Sequence, residues 1–257
     1  MNRIDQLLTT KSANILSIYF TAGYPNLEDT VSIIKELEKS GADLIEIGFP
    51  FSDPVADGPV IQESSEIALK NGMTLNLLFD QLKNIRQNVT IPLILMGYIN
   101  PVLQFGIEKF CRIASETGID GVILPDLPIE IYLKEYKEVF LKYGIYYIPL
   151  VPPQASDQRI QFIDRNTEGF IYLVSSSSTT GTKNATGNVL EEFMQRIRKL
   201  NLKNKQLIGF GINNRDTFNK VCRMASGGII GTAFINALKN KSAGLTSNIQ
   251  QFISSIR

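Results

Sequence analysis

Histidine is absent from this chain. That removes imidazole acid–base catalysis, histidine triads and histidine metal sites together. Proton chemistry near neutral pH then falls to carboxylates, lysine, tyrosine or cysteine. Cysteine is scarce: Cys111 and Cys222 lie far apart with no metal-type spacing, and both read as buried thiols of a reducing compartment. Neither sign of charge is in excess. With 26 basic against 25 acidic residues the net charge is +1, and no basic block marks a nucleic-acid or membrane-surface footprint. No apolar run reaches the ~18 residues of a membrane span. The opening stretch MNRIDQLLTTKSAN lacks an apolar core of signal-peptide length and carries an acid early. The expectation is a soluble cytoplasmic protein (stromal, were it plastid-encoded) that binds neither nucleic acid nor membrane. No linker, charge block or low-complexity tract interrupts it, so 1–257 reads as one domain.

What is present is an ordinary globular balance, 44% hydrophobic and 20% charged over 257 residues. A chain of this length can bury roughly 75% of its unfolded surface, enough for a core without disulfide or metal staples. Short apolar segments at 15–20, 44–48, 91–96, 121–124, 146–151, 170–174, 206–210 and 228–230 read as eight strands. Amphipathic stretches separate them, among them 60–70, 107–117, 131–141, 157–163 and 189–200, and a leading helix at 1–9 is placed to plug one end. Asn26 is a candidate N-cap after the first strand, and Asn214 or Asp216 opens the helix after the seventh. Strands alternating with helices imply a parallel sheet, and the unbroken apolar strands fit one covered on both faces. An open, doubly wound sheet would show the same alternation. The count of eight and a length near the usual ~250 residues favour closure into an α/β fold of the (β/α)8 TIM-barrel type, with an additional N-terminal helix.

Chemistry in such a barrel sits at the C-terminal ends of the strands. In Asp43-Leu44-Ile45-Glu46-Ile47-Gly48, alternation puts Ile45 and Ile47 on one face and Glu46 on the other. If the isoleucines face the helices, Glu46 enters the barrel, where an unpaired carboxyl holds its proton to higher pH and suits general acid work. The other reading is a glutamate satisfied by a Ser, Tyr or Arg neighbour. The loop 49–59 carries Asp53 and Asp57 among three prolines and a glycine. Prolines hold such acids in place by narrowing the loop's freedom, though Asp before Pro or Gly also caps turns. Gly209-Phe210-Gly211 and Gly231-Thr232-Ala233 end the last two strands, where barrels often cradle phosphate on backbone N–H groups. Tight turns alone would also use these glycines. The polar run 175–187 suits either a lid that orders over ligand or a plain surface loop.

Taken together, GADLIEIGFPFSDPVADGPVIQ closely resembles the signature of tryptophan synthase alpha subunits. FTAGYPN, GYINP, GVILPDLP, IPLVPP, IYLVS, IGFGI and IIGTAFI extend the resemblance in order over essentially the whole chain. It implies a lyase that cleaves indole-3-glycerol phosphate to indole and glyceraldehyde 3-phosphate by a retro-aldol reaction, without a cofactor of its own. Glu46 falls on the family's catalytic glutamate and Asp57 on its catalytic aspartate, which pairs with the indole N–H. Tyr172, Tyr19, Ile61 and Phe210 match substrate-pocket positions. Gly181, Gly211, Gly231 and Thr232 match the phosphate cradle, with Thr232 in place of a frequent serine. The indole would pass to a beta subunit carrying pyridoxal phosphate, in an alpha-beta-beta-alpha assembly. Asp53 would serve communication with that partner, and Thr180 would bond Asp57 on closure. The chain departs from the family at Ser175-Ser176-Ser177-Ser178-Thr179-Thr180-Gly181, where many members read Ser-Arg-x-Gly-Val-Thr-Gly. A non-catalytic activating barrel and a phosphosugar isomerase are the alternatives; intact Glu46 and Asp57 speak against the first and the DPVADGP loop against the second.

Overall fold

A computed structural model describes residues 1–174, 185–209, 211–240 and 243–257. Nine short parallel strands run in the chain order β1 (Ile15–Thr21), β2 (Leu44–Gly48), β3 (Leu93–Met96), β4 (Gly121–Ile123), β5 (Tyr146–Tyr147), β6 (Leu150–Val151), β7 (Phe170–Val174), β8 (Lys205–Gly209) and β9 (Gly227–Ile230). Their spatial order is β5-β4-β3-β2-β1-β9-β8-β7-β6. The two ends of this series are one chain segment, 146–151, expected as a single strand. Pro149 divides it, because proline has no N–H for the ladder. Ile148 still donates to the Val122 carbonyl (2.9 Å), and the Pro149 carbonyl accepts from Tyr172 (3.3 Å). The segment therefore pairs with β4 on one side and β7 on the other, and the barrel closes through it.

Alternation along the strands sorts the side chains into two layers. Ile15, Leu44, Ile94, Ile123, Ile148, Phe170, Leu207 and Ile229 fill the barrel. Their strand neighbours Leu16, Ile18, Ile45, Ile47, Leu95 and Leu173 pack outward with helix residues such as Ile33, Leu37 and Phe110. The expected leading helix is Arg3–Thr10, capped by the Asn2 side chain, which accepts from the Ile4 N–H. Ile4 is wholly buried and belongs to the interior cluster, so the helix plugs the barrel as expected.

Two helix starts differ in their fate. Asn214 is the N-cap of Arg215–Cys222, in a reciprocal capping box with Thr217. Asn26 does not cap: the helix begins later, Asp29–Ser40, and the Asn26 amide instead donates to the Asp29 carboxylate (2.7 Å). A helix at Ile99–Phe105 has no counterpart in the pattern reading. Its first N–H, of Ile99, donates to the Asp126 carboxylate at 2.9 Å, so its cap comes from the next strand's loop rather than from its own sequence.

Candidate active site

The site is built from β2 upward. Ile45 and Ile47 face the helices, so Glu46 shares the inward face with Leu44. It is completely buried. The Ser17 hydroxyl donates to Glu46 Oε1 at 2.8 Å, while Oε2 is buried with no hydrogen-bond partner among the described residues. Burial pushes the carboxyl up to about 8, against the opposing pull of the Ser17 hydrogen bond. Burial thus favours the protonated acid at neutral pH; a serine neighbour does meet one oxygen, as the alternative reading expected, and the other has no partner among the described residues.

Asp57 sits in the turn that precedes the helix Pro59–Lys70, and is half-buried. Its N–H donates to the Pro54 carbonyl (3.1 Å), and the Gln62 amide ties the Asp57 carbonyl back to the helix (3.0 Å). Burial lifts its carboxyl to about 6, and a hydrogen bond from Tyr98 works the other way. The Tyr98 hydroxyl also accepts from the Ala56 N–H (2.9 Å), so one phenol holds the loop at two adjacent residues. Asp53 behaves differently. It is exposed, its carboxylate accepts from the Ser52 hydroxyl (2.6 Å), and it borders an outer groove with Phe51, Val55 and Leu69.

Above the strand ends lies a cavity of about 490 Å³ lined in part by Tyr19, Ile61, Tyr172, Gly211, Gly231 and Thr232. Six of the residues singled out from sequence are thereby brought together. Asp57 borders an adjoining crevice that shares Tyr19 and Met96 with the cavity wall. Glu46 does not itself line the cavity. Tyr19, its register partner on β1, stands beside it, and the ring reaches across so that a Cβ on Gly48 would collide with the Tyr19 hydroxyl. Tyr172 likewise occupies the space a side chain at Gly209 would need. Burial and then Asp57, with Glu46 adding, push the Tyr19 phenol far above its usual range; for Tyr172 the order is burial, Glu46, then Tyr19 and Asp57. The fields of both carboxyls therefore meet at these two phenols, which stay neutral donors.

At the far end, Gly211 adopts φ +58°, a left-handed conformation that favours glycine, and nothing stands within 4 Å of where its Cβ would be. Gly231 precedes the short helix Thr232–Leu238. No lysine or arginine among the described residues lines the cavity, so an anion there would rely on N–H groups and neutral side chains. Phe210, Thr180 and Gly181 lie outside the described residues.

Comparison with known proteins agrees with this geometry. The family model described as tryptophan synthase alpha chain matches residues 6–257. The chain belongs to that family. A tryptophan synthase alpha chain of Flavobacterium johnsoniae is 58% identical over the full length of both chains. A crystal structure of the alpha chain from Legionella pneumophila superposes with a TM-score of 0.84 at 35% identity, covering 100% of this chain and 98% of that one. A tryptophan synthase complex from Pyrococcus furiosus contains a chain that superposes with a TM-score of 0.85 at 32% identity, covering 95% and 98%.

The assembled site also brings in residues that local sequence pattern passed over. Ser17 is one; its signal was a lone hydroxyl in the apolar run Ile15-Leu16-Ser17-Ile18. Tyr98 is another, flagged only by its place just after a strand end. Met96, Ile212, Asn213 and Asn236 also line the cavity, and nothing in their local sequence announces it. Among the described residues no group of three or more metal-ligating side chains converges.

Proposed function

We propose that this chain cleaves indole-3-glycerol phosphate, and that Glu46 and Asp57 are its catalytic residues. The observation that carries the reading is a fully buried carboxyl, raised to about 8 and with one oxygen unpaired among the described residues, behind Tyr19 in the wall of a cavity of about 490 Å³. Protonated Glu46 gives its proton to the indole ring carbon that bears the glycerol phosphate. The ring nitrogen becomes positive, and Asp57, ionised at neutral pH, accepts from its N–H and steadies that charge. The Glu46 carboxylate then takes the proton of the adjacent side-chain hydroxyl. The carbon–carbon bond breaks, its electron pair restores the indole ring, and the hydroxyl carbon leaves as the aldehyde of glyceraldehyde 3-phosphate. Every step is a proton transfer or a heterolytic bond cleavage with no net redox change, so we assign the chain no cofactor. Tyr19, Ile61, Tyr172 and Phe210 would enclose the indole. Gly211, Gly231, Thr232 and Gly181 would hold the phosphate through N–H and hydroxyl donors.

The released indole would pass to a beta subunit that carries pyridoxal phosphate, in an alpha-beta-beta-alpha assembly. Asp53, exposed on the outer groove, would belong to that contact, and Thr180 to closure over Asp57. Single-turnover assays of aldehyde release test the chemistry. Glu46→Gln is expected to abolish cleavage while an indole phosphate still binds, and Asp57→Asn to lower turnover by about two orders of magnitude. Near-full turnover in Glu46→Gln would end the assignment.

A further inference from the structure

Ser17 is a polar residue in an apolar layer. It lies on the inward side of β1, its register partners are Leu44 and Ile229, and Ile15 is the next residue on the same face. Its side chain is wholly buried, and among the described residues its hydroxyl makes one hydrogen bond, the 2.8 Å donation to Glu46 Oε1. A buried hydroxyl without a partner is destabilising, so packing gives no reason for a serine here; the bond to Glu46 does. That bond also makes the two carboxyl oxygens unequal. Oε1 is occupied, and Oε2 is buried with no partner among the described residues.

We propose that Ser17 is the positioning residue of Glu46: its hydroxyl holds Oε1, fixes the rotation of the carboxyl, and leaves Oε2 as the oxygen that exchanges protons with the substrate. This rests on the reading of Glu46 as the proton donor. In the first transfer the proton leaves Oε2 for the ring carbon, and negative charge spreads onto Oε1, where the Ser17 O–H bond strengthens because its acceptor is now ionised. In the second, Oε2 takes the substrate hydroxyl proton and the charge is lost. Ser17 keeps its own proton throughout. Burial opposes the Glu46 carboxylate and the Ser17 hydroxyl favours it. The titratable groups nearby are Tyr19 on β1 and Tyr172 on β7, which both feel Glu46, and Asp57 from the loop, which acts on the same two phenols.

The test compares the full chain with Ser17→Ala and Ser17→Thr, with Glu46→Gln as reference. kcat and KM for cleavage are measured across pH, and Glu46 protonation is followed by infrared difference spectra in which Glu46→Gln supplies the blank. Ser17→Ala is expected to lose roughly tenfold to a hundredfold in kcat, the range for a hydrogen bond to a charged group, with KM nearly constant. Its alkaline limb and the Glu46 titration both move to higher pH, and Ser17→Thr, which restores the hydroxyl, brings both back. Should Ser17→Thr fail to fold, the infrared shift in Ser17→Ala decides. An unmoved titration and wild-type kcat in Ser17→Ala, with Glu46→Gln inactive, overturn the positioning role alone. Turnover in Glu46→Gln overturns the reading of Glu46 instead, whatever Ser17→Ala does.

Discussion

At pH 7 Asp57, lifted to about 6, carries its charge, while Glu46, lifted to about 8, keeps its proton. Burial drives both shifts, and the two hydroxyls that bond the carboxyls, Ser17 and Tyr98, limit them. The mechanism needs one acid and one base, so kcat/KM is expected to be bell-shaped, with limbs near 6 and 8. A pH–rate profile without an alkaline limb would disagree with Glu46 as the acid. The same burial affects stability. A carboxyl whose folded value lies above its unfolded one binds more protons when folded. Its contribution is therefore fullest below about 4.5 and declines as pH rises to about 8. Glu46→Gln removes a group that disfavours the fold at neutral pH, on the order of 3 kcal/mol. The variant is expected to melt higher than wild type at pH 7.5 and to match it near pH 4.5, a comparison calorimetry can make.

Among the elements, the strand ends show how glycine shapes the site. Gly48 and Gly209 are small because Tyr19 and Tyr172 lie across them, so strands β2 and β8 make room for phenols carried by β1 and β7. This pairing was not legible in the sequence, since each glycine and its tyrosine are far apart along the chain. At the opposite end, Asp120 joins several segments. It is buried, meets Arg86 at 2.6 Å and Arg3 at 3.0 Å, and accepts from the Leu93 N–H at 2.9 Å. Arg86 in turn donates to the carbonyls of Gly118 and Ile91. Removing the carboxylate leaves a largely buried guanidinium unpaired, and Asp120→Ala is expected to cost about 3 kcal/mol or more in urea unfolding. A loss below 1 kcal/mol would show that water replaces the pair. Such a network reads in sequence only as scattered charges, because its members come together through the closed sheet.

For the molecule as a whole, one end is sealed and the other opens into a cavity. Ile4 of the leading helix fills the lower barrel, and the cavity opens where the strands finish. Near-neutral net charge fits the proposed binding of a phosphate by local donors rather than by a long-range field. Among the described residues no helix is long and apolar enough to cross a membrane. Val55, at 85% exposure, stands beside Asp53 on the rim of the outer groove. An apolar side chain this exposed, next to the residue assigned to communication, suits a partner contact. Val55→Asp is expected to weaken association with a beta subunit at least tenfold while the isolated chain keeps its thermal stability. Titration calorimetry would read the first and a melting curve the second, and undiminished affinity would move the contact elsewhere.

Local pattern was enough for the strand–helix alternation, for setting Glu46 on the face opposite Ile45 and Ile47, and for narrowing a helix start to Asn214 or Asp216, because each depends on neighbours within a few residues; which face turned inward and which residue capped came from the structure. The resemblance then attached chemistry to Glu46 and Asp57. What needed the tertiary structure was everything that joins distant segments: the closure of the sheet across Pro149, Tyr98 gripping the Asp57 loop, and Ser17 against Glu46. The physical reason is that a carboxyl's proton affinity is set by how much water it has lost and by which donors stand near it, and only the assembled barrel determines either.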